Sequence, residues 1–168
     1  MKYHIIKNVL TNRERKKLIK DCQPYLMTGK EMSDVLFKEK NIITGRYPGR
    51  QTREYLHTIP CFQPPIKKIL HAISEEFKRN FVLQMSWINW TNGNKEDINW
   101  HNHPYTNYSA VYYIKTFPFF NNGTLFEDGF IKSPQNSVLI FPAEMKHTAP
   151  SSPLRFDRYT MALDLGNI

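Results

Sequence analysis

Three histidines and one arginine in the C-terminal half of the chain have the types and spacing for metal chemistry. His101 and His103 are two residues apart, so on an extended strand both imidazoles leave the same face. His147 follows an apolar, strand-like run at residues 137–142, and Arg158 lies in a further strand pattern. Three neutral nitrogen ligands beside a fixed cation could hold a metal ion and an acidic co-substrate.

Short strands in the second half of the chain would position these residues. Apolar and polar residues alternate in residues 81–90, 109–115, 137–141 and 158–165, and Gly, Asn and Pro clusters separate the runs. Short strands divided by turns are typical of a β-sandwich or barrel. Because a jelly-roll barrel brings neighbouring and distant histidines together at its open end, we expect a mainly β fold with a jelly-roll core.

The first 80 residues predict a short strand and two helices that support this core. The strand covers residues 3–10, and Thr11 and Glu14 then form a capping box for a helix that runs to about residue 25. A second helix begins at Pro64 and Pro65. Its apolar residues recur with helical spacing, which predicts one buried face made by Ile66, Ile69, Leu70, Ile73 and Phe77.

A long irregular segment, residues 26–60, separates the two predicted helices. Long loops in compact domains are often lids or binding loops, and the basic run at residues 45–50 could cover the barrel mouth. The length of 168 residues fits one domain. We therefore expect residues 1–168 to form a single domain, with helical support and loops in residues 1–80 and the jelly-roll core in residues 81–168.

Composition and charge restrict the class of protein further. Hydrophobic residues make up 40% and aromatic residues 14%, which excludes a disordered chain. The net charge of +8 favours an acidic partner such as an anionic metabolite or nucleic acid. Nucleic acid is the less favoured of these, because the basic residues are scattered. Cys22 and Cys61 lack ligand spacing, and no signal peptide or membrane span is predicted, so we expect a cytoplasmic protein.

Segments over residues 84–165 together resemble the Fe(II)/2-oxoglutarate-dependent oxygenases, especially small prolyl-hydroxylase-like members of phage or marine-bacterial type. The similar segments occur in the order of that family. They are Ser86-Trp-Ile-Asn89, His101-Asn-His103, Ser109-Ala-Val-Tyr-Tyr-Ile114, Gly123-Thr-Leu-Phe126, Phe141-Pro142 before His147, and Arg158-Tyr-Thr-Met-Ala162. The resemblance implies a double-stranded β-helix and a hydroxylase that releases succinate and CO2, and it suggests a bacterial or viral source.

The resemblance also implies roles for individual residues. His101, His103 and His147 would bind Fe(II), and Arg158 would bind the far carboxylate of 2-oxoglutarate. Arg158 shares strand parity with Thr160 and Ala162, which would direct it into the barrel, and Arg155 would point outward. A tyrosine and an asparagine complete the expected co-substrate site, namely Tyr113, which fits better than Tyr112, and Asn89. Ascorbate is an additional cofactor candidate.

His103 departs from the family pattern, because most relatives have an aspartate at this position. Either the three histidines bind the metal, which we favour, or a carboxylate such as Asp97 or Asp128 replaces one of them. Asp97 is four residues from His101, too far along an extended strand without a bend, and Asp128 precedes a glycine at a predicted hairpin. A three-histidine zinc site, hydrolytic or structural, is the alternative function. As substrate we expect a peptide or protein side chain, or a small molecule.

Overall fold

The computed structural model describes residues 3–32, 34, 49–94, 99–119 and 122–167. The helices in these residues that support the core are α1 (Asn12–Cys22) and α2 (Gln63–Phe77). The strands are β1 (His4–Lys7), β2 (Met27–Thr28), β3 (Arg50–Gln51), β4 (Phe81–Asn94), β5 (Tyr108–Lys115), β6 (Gly123–Phe126), β7 (Gly129–Lys132), β8 (Ser137–Pro142), β9 (His147–Thr148) and β10 (Ser152–Asn167).

The strands form two antiparallel sheets. The main sheet has seven strands in the order β1-β8-β5-β10-β4-β3-β2, so the N-terminal part of the chain adds strands at both edges. The second sheet has the order β7-β6-β9. Buried Tyr113, Leu139 and Phe141 of the main sheet pack against Phe126 of the second. This arrangement confirms the predicted jelly-roll core.

Alternation along β10 separates the two faces of the main sheet. Tyr159, Met161, Leu163 and Leu165 are buried in the larger apolar cluster, which includes residues of both helices. The intervening residues face a cavity on the opposite side of the sheet, and those that line it are Arg158, Thr160, Ala162 and Asp164. The period of two that predicted this strand therefore also sorts its side chains between core and cavity.

The helices pack on the apolar face of the main sheet, as predicted. Thr11 caps α1, because its hydroxyl accepts a hydrogen bond from the Glu14 amide at 3.2 Å and the Glu14 carboxylate accepts from the Thr11 amide at 2.8 Å. The α-helix ends at Cys22 and a 3₁₀ turn covers Gln23–Tyr25. Pro24 explains this early end, since proline has no N–H to continue the α-helical ladder. Among the described residues, no helix is long and apolar enough to cross a bilayer.

Candidate functional site

Backbone pairing brings two of the candidate ligands together. His101 and His147 form an antiparallel bridge in which each amide donates to the other's carbonyl, at 3.1 Å and 2.9 Å. The His103 amide donates to the Ala143 carbonyl at 2.9 Å, so the His-x-His segment is held at both histidines. β9 in turn pairs with β6, with Phe126 opposite His147. These backbone hydrogen bonds thereby fix the Cα positions of the three histidines.

The three imidazoles lie close enough to share one ion. Their ring centroids are separated by 4.4 Å for His101 and His147, 5.2 Å for His101 and His103, and 5.3 Å for His103 and His147. One nitrogen of each ring lies within 4.8 Å of the others. Because a ligand nitrogen lies about 2.1 Å from zinc, two nitrogens on one such ion are at most about 4.2 Å apart. Small ring rotations would close the remaining difference.

Hydrogen bonds leave one particular nitrogen of each ring available to a metal. Nδ1 of His101 lies 2.8 Å from the Asn99 carbonyl, and Nδ1 of His147 lies 2.9 Å from the Met145 carbonyl. Nδ1 of His103 lies 3.0 Å from Oδ2 of Asp164. Since carbonyls and carboxylates only accept, each Nδ1 carries the proton and each Nε2 keeps its lone pair. This donor set fits a divalent transition metal.

The surroundings favour neutral imidazoles. Burial lowers the pKa of His147 to about 3, and repulsion from a protonated His101 acts in the same direction. The pKa of His101 is also lowered, mainly by desolvation, although this residue is exposed at the rim of the cavity. Neutral rings are the form that binds metals, so at neutral pH no proton competes for either Nε2.

The depressed histidine pKa predicts acid lability of the metal-free protein. The unfolded state binds more protons than the folded state between pH 6.5 and about 3, so the stability contributed by neutral His147 is lost as the pH falls through this window. We expect up to about 1.4 kcal/mol per pH unit from one such group. Thermal unfolding measured from pH 7 to pH 4 should show a shallower slope for His147→Asn. Equal slopes for the wild type and the variant would contradict this prediction.

Arg158 lies in the same cavity as the histidines, which has a volume of about 380 Å³. It is only 5% exposed, its guanidinium donates to the Gly123 carbonyl at 3.3 Å, and its Cζ lies 5.7 Å from the Tyr113 ring. Exposed Arg155 lies outside the cavity. A buried guanidinium in a cavity can bind a carboxylate through two parallel hydrogen bonds.

The other residues singled out from the sequence have different surroundings. Asn89 lines the cavity, opposite Thr160 in the strand register. Tyr113 is fully buried next to Arg158, and its hydroxyl lies 2.5 Å from Oγ1 of Thr124. Asp128 lies in the β6–β7 turn, where it accepts a hydrogen bond from the Tyr3 hydroxyl, and it is not in the histidine cluster. Asp97 lies outside the described residues.

Asp164 is the site residue that the sequence reasoning missed. Its side chain is 1% exposed, lines the cavity and contacts His103. A signal for it was present, because it is the one acid in the apolar run at residues 161–165 and it shares parity with Arg158. Burying a single carboxylate on the inward face of a strand is costly unless a hydrogen-bonding or charged group lies next to it, so this residue indicates such a group in the cavity.

The fold is similar to that of several solved enzymes. HygX from Streptomyces hygroscopicus, with nickel and 2-oxoglutarate bound, has a TM-score of 0.66 and 11% identity over 98% of this chain and 82% of HygX. A prolyl hydroxylase from Trichoplax adhaerens, in complex with a hypoxia-inducible-factor peptide fragment, has a TM-score of 0.64 and 14% identity over 98% of this chain and 83% of that chain. The collagen prolyl hydroxylase of Paramecium bursaria Chlorella virus-1 has a TM-score of 0.58 and 13% identity, covering 100% of this chain and 91% of that chain.

Two further comparisons, with protein families and with curated proteins, found no match. The likeness to solved structures covers nearly the whole chain. The chain therefore has the double-stranded β-helix fold that these solved enzymes also have.

Proposed function

We propose that the protein is an Fe(II)- and 2-oxoglutarate-dependent oxygenase that hydroxylates a C–H bond of a peptide or protein side chain. The observation that carries the proposal is the placement of three imidazoles, each with Nε2 available, and a buried arginine around one cavity. In the overall reaction, one oxygen atom of O2 enters the C–H bond. The other enters the succinate that forms as 2-oxoglutarate loses CO2.

Each residue has a defined task in this proposal. His101, His103 and His147 would hold the metal, and three protein ligands would leave coordination positions for the co-substrate and O2. Fe(II), when bound, would activate O2, which is the oxidant of both the C–H bond and 2-oxoglutarate. Arg158 binds the far carboxylate of 2-oxoglutarate, and the small side chains of Thr160 and Ala162 leave room for its carbon chain.

Asn89 and Tyr113 are the further co-substrate residues that we propose. Asn89 lines the cavity next to Thr160 and can hydrogen-bond to the co-substrate directly. Tyr113 packs against the Arg158 guanidinium and positions it, since its own hydroxyl is bonded to Thr124. A fixed guanidinium recognises a carboxylate at a smaller entropy cost than a mobile one.

The remaining cavity wall is suited to an organic substrate with both polar and apolar groups. Met85 and Trp87 supply apolar surface, and Gln51 and Glu54 supply hydrogen-bonding groups. The Trichoplax enzyme is in complex with a peptide fragment, which supports a peptide substrate. HygX has been solved with hygromycin B bound, so small molecules belong in the same test.

Succinate formation tests the proposed function. The purified protein, supplied with Fe(II), 2-oxoglutarate and ascorbate, should release succinate, and a panel of proline-containing peptides and small molecules should contain a compound that gains one oxygen atom. Oxygenated peptide would support the peptide class, whereas oxygenation of a small molecule alone would overturn it. Zinc in the natively purified protein, with no binding of 2-oxoglutarate, would instead support the zinc hydrolase.

A further inference from the structure

One of the three imidazoles is held differently from the other two. Nδ1 of His101 and of His147 face backbone carbonyls, which are neutral dipoles. Nδ1 of His103 instead faces the Asp164 carboxylate, at 3.0 Å from Oδ2. The carboxylate has a second partner, because the Ser109 hydroxyl donates to its Oδ1 at 3.2 Å. Asp164 is therefore anchored at both oxygens while it orients His103.

The strands on either side of Asp164 make this contact specific. In the register of the main sheet, Asp164 pairs with Ser109 of β5 and with Met85 of β4. The His103 ring also stacks on Trp87, with centroids 5.7 Å apart and planes 22° apart. Stacking on Trp87 limits the tilt of the His103 ring. The hydrogen bond from Nδ1 to Asp164 fixes which edge of the ring faces the cavity.

We propose that Asp164 is a positioning residue that holds His103 as an Nε2 ligand and places a negative charge one hydrogen bond away from the metal. This inference rests on the proposed three-histidine metal site. A carboxylate that accepts a hydrogen bond from Nδ1–H fixes the tautomer of the imidazole. It also makes Nε2 a stronger electron-pair donor to the metal. Three neutral imidazoles leave the full charge of a divalent ion uncompensated, so a buried carboxylate beside one of them stabilises the bound ion.

Metal affinity of the Asp164→Asn variant tests the inference without any turnover. Asparagine keeps the size of the side chain and removes its charge. Titration with Co(II) in the absence of 2-oxoglutarate should show an affinity roughly 10- to 100-fold below that of the wild type, the usual cost of losing such a partner. Asp157→Asn is the matched control, because it removes a carboxylate of the same strand that bonds to Trp90 and Asn92 and does not line the cavity, and it should change the Co(II) affinity less than about 3-fold.

A double variant separates the charge of Asp164 from its contribution to folding. His103→Asp combined with Asp164→Asn moves the carboxylate from behind the ring to the ligand position itself. We expect this variant to recover Co(II) affinity to within about 10-fold of the wild type, whereas Asp164→Asn alone does not. A purely structural role for Asp164 would leave the double variant as weak as the single one.

A further measurement uses only the wild-type protein, so its result does not depend on whether a variant folds. In the metal-free protein labelled with 15N-histidine, the His103 ring should be the Nδ1-protonated tautomer. An Nε2-protonated His103, or an Asp164→Asn variant that binds Co(II) as tightly as the wild type, would overturn the inference. Failure of the wild type to bind Co(II) at the histidines would instead overturn the proposed metal site, so the two failures are distinguishable.

Discussion

Replacing His147 by alanine is expected to lower the affinity for Fe(II) by more than about 100-fold and to abolish succinate formation. Loss of a hydrogen-bonding partner behind a metal ligand typically costs 10- to 100-fold in affinity, and loss of the ligand itself should cost more. His147 is 6% exposed and is bridged to His101 through both backbone amides, and among the described residues the metal-ligand cluster contains only the three histidines. Fe(II) binding is measured anaerobically, and succinate is measured separately.

Two sets of variants make this prediction specific to the cluster. His101→Ala and His103→Ala should have the same effect, since their nitrogens lie within 4.8 Å of that of His147. His71→Ala is the matched control, because His71 is exposed on α2, on the other side of the main sheet from the cavity. Normal Fe(II) binding by His147→Ala would show that the metal is held elsewhere.

Replacing Arg158 by alanine is expected to raise the KM for 2-oxoglutarate by roughly 100-fold or more. Removing one partner of a buried charge pair costs about 3–5 kcal/mol, and about 1.4 kcal/mol corresponds to a factor of ten. Metal affinity should change little, because Arg158 is not part of the histidine cluster. The prediction is therefore a rise in the KM for 2-oxoglutarate at nearly constant Fe(II) affinity, measured by steady-state kinetics and by Fe(II) titration.

The same strand offers graded controls for Arg158. Arg158→Lys keeps the charge but loses the two-pronged guanidinium, so its KM for 2-oxoglutarate should lie between those of the wild type and the alanine variant. Arg155 is exposed and lies three residues earlier on β10, so Arg155→Ala should leave the KM for 2-oxoglutarate unchanged. A KM for Arg158→Ala within about 3-fold of the wild-type value would exclude Arg158 as the carboxylate site.

Local patterns were sufficient to predict the elements that carry the site. The alternation in β10 follows directly from a sheet with one apolar and one cavity-facing side, and the Thr11 capping box depends only on residues three positions apart. These features could be predicted because each depends on residues close together in the chain. The His-x-His segment differs from its prediction, because it is not a named strand: His101 forms an isolated bridge and His103 lies outside the strands.

Features that depend on pairing between distant segments could not be predicted from local sequence patterns. The bridge between His101 and His147 joins segments 46 residues apart, and only the two-sheet topology brings them together. The pairing of Asp164 with His103 likewise depends on the register of β10 with its neighbours. The short strands β2 and β3 have no alternating pattern of their own and are defined by pairing, β2 with β3 and β3 with β4. The predicted lid at residues 45–50 falls mostly outside the described residues.

A crystal structure of the protein with Mn(II) and 2-oxoglutarate bound, from crystals grown without oxygen, would test the proposed metal and co-substrate site most directly. Manganese replaces iron because it prefers similar nitrogen and oxygen ligands. We predict one metal ion on the Nε2 atoms of His101, His103 and His147, and the far carboxylate of 2-oxoglutarate on the Arg158 guanidinium. A metal held by fewer than three of these histidines, or a co-substrate carboxylate bound away from Arg158, would contradict this prediction.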